Sequence, residues 1–304
     1  MKLYYRHVPR GNFGDDLNPW IWPRLLPGLL DENDSILFIG IGSILNEQIP
    51  LRPFKVVFGS GVGYGKAVSL NHGRWEFYCV RGPLTVQALN LPTKFGITDA
   101  AILVRNVQLP KLDKIHGASF MPHQTSAAIG DWKEICDEVG MNFIHPSSGV
   151  ETVLSGICSS KLLITEAMHG AIVADALRVP WVPVRSYFGI PKLKWWDWCL
   201  SIGLEYRPIS IPSIWRKENI VRLLRRNNSL YLFRKFLSSG LIRGGMEIVR
   251  LSEKKRREHV IEALKRITKS EPNLSKDNTI ALLTERMEER LEAFKRDLSS
   301  GYFD

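Results

Sequence analysis

One repeating pattern constrains the fold of this 304-residue chain more than any other: short apolar runs, rich in β-branched and aromatic residues, that end in glycine or polar residues. Residues 36–43 and 55–62 are two such runs, and each is too short for a helix. A third run, residues 76–80, leads into Arg81 and Pro83, where a proline in the first turn favours a helix start. Strand followed by helix is the order found in a doubly wound parallel sheet. The sequence therefore predicts an α/β fold.

The same pattern restarts after residue 113. The predicted strands cover residues 118–122, 142–145, 162–165 and 181–184, and the predicted helices cover 132–139, 149–159 and 168–177. We predict an N-terminal α/β domain over residues 1–112, a second over 113–212 and a basic helical extension over 213–304. Two Rossmann-like domains that face a cleft form the GT-B-like arrangement, and ligands are expected outside the carboxyl ends of the strands.

Composition narrows the class of protein. The chain is 44% hydrophobic, enough for a large core, and no apolar run reaches the roughly 18 residues that a membrane helix needs. Its first residues lack the apolar segment of a secretory signal, so we expect a cytoplasmic protein. The four cysteines lie far apart, and we expect buried thiols rather than disulfides or zinc ligands.

Positive charge is concentrated at the end of the chain. The formal net charge is +10, and the segment from Arg216 onward holds 21 Lys or Arg against 13 Asp or Glu. Two interpretations stay open: solvated helices that pack on the domains, or a basic surface that binds an anionic membrane at the inner face of the plasma membrane. No nucleic-acid-binding module accompanies the charge, so we expect no nucleic-acid partner.

Polar and glycine residues follow the strands of the first domain. After the first strand, Gly14 allows a close turn that would let Asn12 meet an anion or a sugar hydroxyl; the alternative is a helix that begins near Leu17, with Asp15 or Asp16 as its N-terminal cap. Gly61 lies in a glycine cluster that suits backbone donation to phosphate or carboxylate, although a simple tight loop is the alternative. Arg81 stands at a strand end, and its planar fork matches a carboxylate or phosphate better than a lysine would; a surface salt bridge is the alternative.

In the second domain the most informative stretch surrounds His169. A strand ends in Thr165 and Glu166, and His169 opens the next helix, beside free N–H groups that can bind an anion. The remaining strand-end candidates of this domain are His123, Arg185 and Lys192. Because they share one edge of the sheet, they and His169 are expected to form an anion site. Three tryptophans either stack on sugars or anchor the core: Trp195, Trp196 and Trp198.

These motifs together resemble the polysaccharide pyruvyltransferase family. The resemblance rests on Asn-Phe-Gly-Asp at residues 12–15, Arg-Gly-Pro-Leu-Thr at 81–85, the segment 97–101, and the His169 helix followed by residues 178–184. It covers roughly residues 1–210. It is closest in form to the ketal-forming enzymes of exopolysaccharide operons.

The resemblance implies phosphoenolpyruvate as the donor, ketal formation on sugar hydroxyls as the reaction, and a lipid-linked oligosaccharide as the acceptor. His169 is then the leading acid, and Arg81, Arg185 and Lys192 hold the carboxylate and phosphate. Asn12, Asp15 and Asp99 orient or deprotonate the acceptor. We expect no required metal or cofactor.

One departure and one alternative remain. The family often has Arg-Leu-His where this chain has Ala167-Met168-His169, and we hypothesise that Arg185 supplies the missing charge. The alternative function is a GT-B glycosyltransferase with a nucleotide-sugar donor, in which Glu166 contacts the donor ribose.

Overall fold

The computed structural model describes residues 1–187, 189–215 and 253–303, and its framework is two parallel β-sheets. The first sheet consists of β1 (Lys2–Tyr4), β2 (Ile36–Ile39), β3 (Phe54–Phe58) and β4 (Trp75–Cys79), in that spatial order. The second contains β5 (Ser119–Met121), β6 (Asn142–Phe143), β7 (Leu163–Thr165), β8 (Trp181–Arg185) and β9 (Ile209–Ser210). All neighbouring strands in both sheets are parallel. The predicted α/β class is confirmed.

Helices follow most of the strands. They are α1 (Phe13–Leu25), α2 (Pro83–Leu89), α3 (Gln124–Ile129), α4 (Trp132–Val139), α5 (Val150–Cys158), α6 (Met168–Ala176) and α7 (Lys192–Ser201), with 3₁₀ helices at Thr93–Phe95 and Ala100–Asn106. The predicted bounds of α4 are confirmed, and those of α5 and α6 are right to within one residue. The prediction did not include α3, α7, β9 or the 3₁₀ helices.

The order of strands in the second sheet locates a ligand crevice. That order is β6-β5-β7-β8-β9, so the chain moves from β5 to β6 on one side and then returns to β7 on the other. In an open α/β sheet such a reversal separates the strand tips and leaves a crevice at their carboxyl ends. The first sheet follows the order of the sequence and has no reversal. The tips of β5 and β7 are therefore the expected ligand position.

A layer of helices joins the two sheets. One apolar core contains Phe13 and Leu17 of α1, Ile102 of the second 3₁₀ helix, Val153 of α5 and Ile172 of α6, all of them buried. These side chains are the apolar faces of helices that cover both sheets. The division at residues 112 and 212 and the GT-B-like cleft stay predictions.

The C-terminal helices pack on both sheets. Helix α8 (Glu253–Ile267) lies against α4 and shares a buried apolar cluster with β5 and β8, and helix α9 (Asp277–Ser299) lies against β4 and the second 3₁₀ helix. Phe294 of α9 contacts Phe38 and Tyr78 of the first sheet, with ring centroids 5.2 and 5.4 Å apart. Between the two helices, the backbone of Asn273 pairs with that of Trp181. The interpretation of this part of the extension as helices packed on the domains is confirmed.

Two basic residues of α8 face the protein. Arg256 is 7% exposed and lies over the Trp215 ring, and Arg257 forms an ion pair of 2.9 Å with Glu138. The segment 221–236, with its arginines, lies outside the described residues, and the membrane-binding surface stays a prediction.

The cysteines are free thiols in apolar surroundings. Cys79, Cys136 and Cys199 are buried and Cys158 is half-buried, and none forms a disulfide. Burial raises the pKa of each thiol, that of Cys136 to about 12. Among the described helices, none has the combined length and apolar character needed to cross a lipid bilayer.

Candidate active site

His169 is placed by the turn that joins β7 to α6. Thr165, the last residue of β7, accepts a hydrogen bond from the Ala167 backbone N–H (2.9 Å) and donates one to the Met121 carbonyl (2.9 Å). This local pairing turns the chain into α6, so that His169 lies in the first helical turn, as predicted. Its side chain is 15% exposed. The imidazole is therefore only partly exposed, at the carboxyl end of β7.

Gly14 allows the imidazole to lie directly against α1. A Cβ atom at position 14 would stand 2.0 Å from His169 Nδ1, much closer than any real contact. Glycine is needed here for close approach rather than for an unusual backbone angle. The structure thus brings the predicted residues Gly14 and His169 together.

Asp99 lies on the other side of the imidazole. It is fully buried, and its Oδ1 accepts a hydrogen bond from the Ala101 backbone N–H (3.0 Å) at the start of the second 3₁₀ helix. Its Oδ2 stands 3.7 Å from His169 Nε2. Both of these atoms are buried and have no hydrogen-bond partner among the described residues. Unsatisfied buried polar atoms are rare in folded proteins, so this pair marks a place where a ligand can supply the missing bonds.

Asp15 adds a second carboxylate beside the imidazole. It is 8% exposed, in the first turn of α1, and its Oδ2 accepts a hydrogen bond from Asn12 Nδ2 (2.6 Å). Burial raises the pKa of Asp15, while the charges of His169, Arg6 and Lys194 and the bond from Asn12 oppose that rise. A carboxylate with a raised pKa is better suited to accept a proton near neutral pH than an ordinary aspartate.

Asn12 occupies the N-terminal cap position of α1, which begins at Phe13 rather than near residue 17. Its backbone N–H donates a hydrogen bond to Asp16 Oδ2 (2.8 Å), and its side-chain amide donates one to Asp15 Oδ2. The predicted cap is therefore wrong in its place: Asp15 and Asp16 lie inside the first turn of α1, and Asp16 accepts a hydrogen bond from the cap residue itself. The amide group of Asn12 holds Asp15 in position.

Arg81 has a structural environment that corrects the expectation of a ligand contact. It is fully buried; its Nε donates to Asp197 Oδ2 (3.1 Å), its Nη1 to Ser43 Oγ (2.6 Å) and its Nη2 to the Val62 carbonyl. Each of its three nitrogens thus has a protein acceptor. Asp197 also accepts from the Leu84 backbone N–H (2.8 Å) and so caps α2.

Gly61 serves the packing of Arg81. A Cβ atom at position 61 would lie 2.4 Å from Arg81 Cζ, and the Gly61 N–H donates to the Gly42 carbonyl (2.9 Å). The expected donation from this glycine to a ligand is therefore not available, because the amide already has an acceptor. The tight-loop alternative describes Gly61 better.

Glu166 ties together the tips of three strands. It is fully buried; its Oε1 accepts from the Ser186 hydroxyl (2.7 Å) and the Tyr187 backbone N–H (3.0 Å), and its Oε2 accepts from the His123 backbone N–H (3.2 Å). Both carboxylate oxygens are used, which corrects the expectation that Glu166 contacts a donor ribose. This network fixes the ends of β5, β7 and β8 beside the crevice.

The other predicted cationic residues lie at different depths. His123 accepts a hydrogen bond from the Thr125 backbone N–H (3.2 Å) and stacks on Tyr187, with ring centroids 5.9 Å apart. Arg185 is half-buried at the end of β8, on the strand tip that Glu166 holds. Lys192 is exposed, with its Nζ 6.0 Å from the centroid of the Trp196 ring. Glu166 thus links the strand ends that carry His123 and Arg185, whereas Lys192 is exposed and is not part of this network.

Two charged residues of α7 were missing from the predicted site. Lys194 is 7% exposed and Asp197 is fully buried. Together with Trp198 they occupy positions i, i+3 and i+4, the spacing of one helical face. That spacing of charged residues within a tryptophan-rich helix was the available signal. Trp195 and Trp198 are core residues, whereas Trp196 is 44% exposed.

An imidazole beside two buried carboxylates, at the carboxyl edge of parallel strands, is an arrangement suited to acid–base chemistry, as group-transfer enzymes require. Within residues 1–187, 189–215 and 253–303, no group of three or more His, Cys, Asp or Glu side chains is arranged so that it could hold a metal ion. The profile of the polysaccharide pyruvyl transferase family matches residues 2–186, a range that contains His169, Asp99 and Asp15. The chain belongs to that family.

A curated relative supports this assignment. Over 225 residues the chain is 41% identical to the succinoglycan biosynthesis protein ExoV of Rhizobium meliloti (strain 1021), and the match covers 73% of this chain and 71% of that protein. No solved structure matches the chain. Membership of the family disfavours the alternative of a glycosyltransferase.

Proposed function

We propose that this protein transfers the pyruvyl group of phosphoenolpyruvate to a pair of sugar hydroxyls, as a ketal, during exopolysaccharide synthesis. The observation that carries the proposal is the contact between the His169 imidazole and the buried Asp99 carboxylate, whose facing atoms have no hydrogen-bond partner in the part of the chain that the structure describes. The family and the relationship to a succinoglycan biosynthesis protein support the substrate class. The acceptor is an oligosaccharide, lipid-linked at the inner face of the plasma membrane.

The first chemical step needs an acid. His169, as imidazolium, gives a proton to the vinyl carbon of phosphoenolpyruvate, which becomes a methyl group while positive charge develops at the neighbouring carbon. Asp99, 3.7 Å from Nε2, stabilises the imidazolium and orients the ring. The first sugar hydroxyl attacks the cationic carbon and gives its proton to Asp15. Because burial raises the pKa of Asp15, this carboxylate is a suitable acceptor for that proton.

The second step releases phosphate. The bond between the central carbon and the phosphate oxygen breaks, the second sugar hydroxyl forms the remaining carbon–oxygen bond, and its proton leaves with the phosphate. The net change joins one phosphoenolpyruvate and one diol into a ketal and inorganic phosphate, without an oxidant or a cofactor. Arg185, at the tip of β8, supplies the positive charge that binds the donor carboxylate. It replaces the arginine that the family often has where this chain has Ala167. The reaction takes place between two domains in a GT-B-like cleft.

Labelled substrate tests this function directly. We would incubate the protein with ¹³C-labelled phosphoenolpyruvate and a panel of lipid-linked and synthetic oligosaccharides, and follow the acceptor mass and the released phosphate. The expected result is an acceptor that gains a labelled pyruvyl group in equal amount to phosphate. Transfer of a sugar from a nucleotide-sugar donor, with no pyruvyl transfer to any acceptor, would contradict the proposal.

A further inference from the structure

Lys194 is a buried cation that points inward from α7. It is 7% exposed, and its stem packs against the glycine loop that follows β3: a Cβ atom at Gly63 would lie 3.2 Å from Lys194 Cβ. Its Nζ donates a hydrogen bond to the Tyr64 hydroxyl (3.0 Å) and lies 5.1 Å from the centroid of the Tyr64 ring. The ammonium group is thus held beside the loop at the carboxyl edge of the first sheet.

The charge of Lys194 is not neutralised by a contact with the protein. Among the described residues, no carboxylate oxygen lies within ion-pair distance of its Nζ, and its hydrogen bond is to a neutral tyrosine. Arg81, one helical turn away through Asp197, has a carboxylate partner and two further acceptors. Burying an uncompensated charge is unfavourable, so a site that retains one is prepared for an anion that arrives from outside.

Lys194 belongs to the same electrostatic site as His169. The charges of both residues lower the pKa of Asp15 against the effect of its burial. Asp15 therefore lies within the electrostatic field of both the imidazole and the ammonium group. Lys194 lies outside the part of the chain that the family profile matches, residues 2–186.

We propose that Lys194, with the hydroxyl of Tyr64, binds the phosphate group of the donor substrate. This inference rests on the proposed function, since it assigns a group of phosphoenolpyruvate to a residue of the same site. Lysine presents a compact point charge with three donors, which can bind a tetrahedral phosphate without a fixed bidentate geometry. When the carbon–oxygen bond breaks, the ammonium balances the charge that develops on the departing phosphate oxygen.

Binding of inorganic phosphate and of phosphoenolpyruvate to Lys194→Met, measured by titration calorimetry, tests the inference. We expect the dissociation constant for both ligands to rise about 10- to 100-fold, the loss typical of a charged hydrogen bond. Lys194→Arg keeps the charge and should lose less. Lys133→Met is the matched control, because Lys133 lies on the exposed face of α4, where it pairs with Asp137; it should bind both ligands as the wild type does.

Thermal unfolding separates a binding role from a structural one. Since the lysine has no ion-pair partner within residues 1–187, 189–215 and 253–303, Lys194→Met should leave the unliganded protein as stable as the wild type or more so, and should lose the stabilisation that phosphate gives. A variant that unfolds, or one that binds phosphate normally, would overturn the inference. So would a wild-type protein that binds neither ligand.

Turnover distinguishes this inference from the proposed function. Lys194→Met should raise the KM for phosphoenolpyruvate, and the phosphate titration can succeed even when no pyruvyl transfer is seen. In that case the phosphate site stands and the proposed reaction fails. If the wild type transfers pyruvyl groups and Lys194→Met has an unchanged KM, the reaction stands and the phosphate site fails.

Discussion

The Arg81–Asp197 pair and the His169–Asp99 pair are both buried contacts between a basic and an acidic side chain, and they differ in how completely their atoms are bonded. Each guanidinium nitrogen of Arg81 has an acceptor, and Asp197 also caps α2. In the second pair the facing atoms are 3.7 Å apart and have no hydrogen-bond partner among the described residues. A buried pair whose atoms are all hydrogen-bonded stabilises the fold. A buried pair whose facing atoms lack hydrogen bonds can still form them with a ligand.

The largest effect is expected at His169. Replacement by alanine removes the proposed acid, and the rate of pyruvyl transfer should fall about 100- to 10,000-fold, the range typical of acid–base catalysis. The free energy of unfolding should change little, since Nε2 makes no hydrogen bond that would be lost. Transfer of labelled pyruvate and urea unfolding measure the two quantities. His72→Gln, at an exposed position, is the control and should behave as the wild type.

Arg81 should show the opposite behaviour, with a large effect on stability. Arg81→Met leaves Asp197 as an uncompensated buried charge and should lower the free energy of unfolding by about 3–5 kcal/mol. The double variant Arg81→Met with Asp197→Leu removes both charges and should recover part of that loss. Urea unfolding measures both proteins. A single variant as stable as the wild type would remove the contrast between the two pairs.

Gly14 tests how closely the imidazole is held. Gly14→Ala places a methyl group 2.0 Å from His169 Nδ1, so the ring must move. A displacement of about 1 Å can reduce a rate about 100-fold, and we expect a fall in kcat of that order. Gly149→Ala is the matched control: it precedes α5, and a Cβ atom there meets nothing within 4 Å. Equal rates for the two variants would show that His169 does not need its present position.

Asp15 should give the smallest effect, a change of stability with pH. Burial raises its pKa, so the folded protein holds the proton more tightly than the unfolded chain does. The contribution of Asp15 to stability therefore decreases as pH rises through the ordinary aspartate pKa to the folded-state pKa, and stays low above it. Asp15→Asn removes this dependence, so its stability relative to the wild type should increase from about pH 3 to pH 7. Urea unfolding across that range should show it; a relative stability that decreases would give the opposite sign.

The spacing of apolar residues predicted the helices whose bounds are set by their own sequence. The apolar spacing in residues 132–139 gave the bounds of α4, and the strand before His169 placed that residue in the first turn of α6. Helix α7 was not predicted, because its buried face depends on contacts with distant parts of the chain.

Arg81 illustrates why the site was harder to predict than the fold. Its position at a strand end matched that of a ligand-binding arginine, but its carboxylate partner lies 116 residues further along the chain. Asp99 and His169 are likewise brought together by the packing of a 3₁₀ helix that the sequence pattern did not reveal. The sequence predicted the types of residue at the site. It could not predict which of these residues already have hydrogen-bond or ion-pair partners within the protein.

The source of the methyl proton in the ketal tests the central claim most directly. The reaction would be run in D₂O with phosphoenolpyruvate and an oligosaccharide acceptor, and the product examined by mass spectrometry and NMR. If His169 delivers an exchangeable proton to the vinyl carbon, the pyruvyl methyl group of the product will carry one deuterium, and His169→Ala will form almost no product. A methyl group without deuterium, or a deuterated ketal formed by His169→Ala at the wild-type rate, would contradict the role assigned to the His169–Asp99 pair.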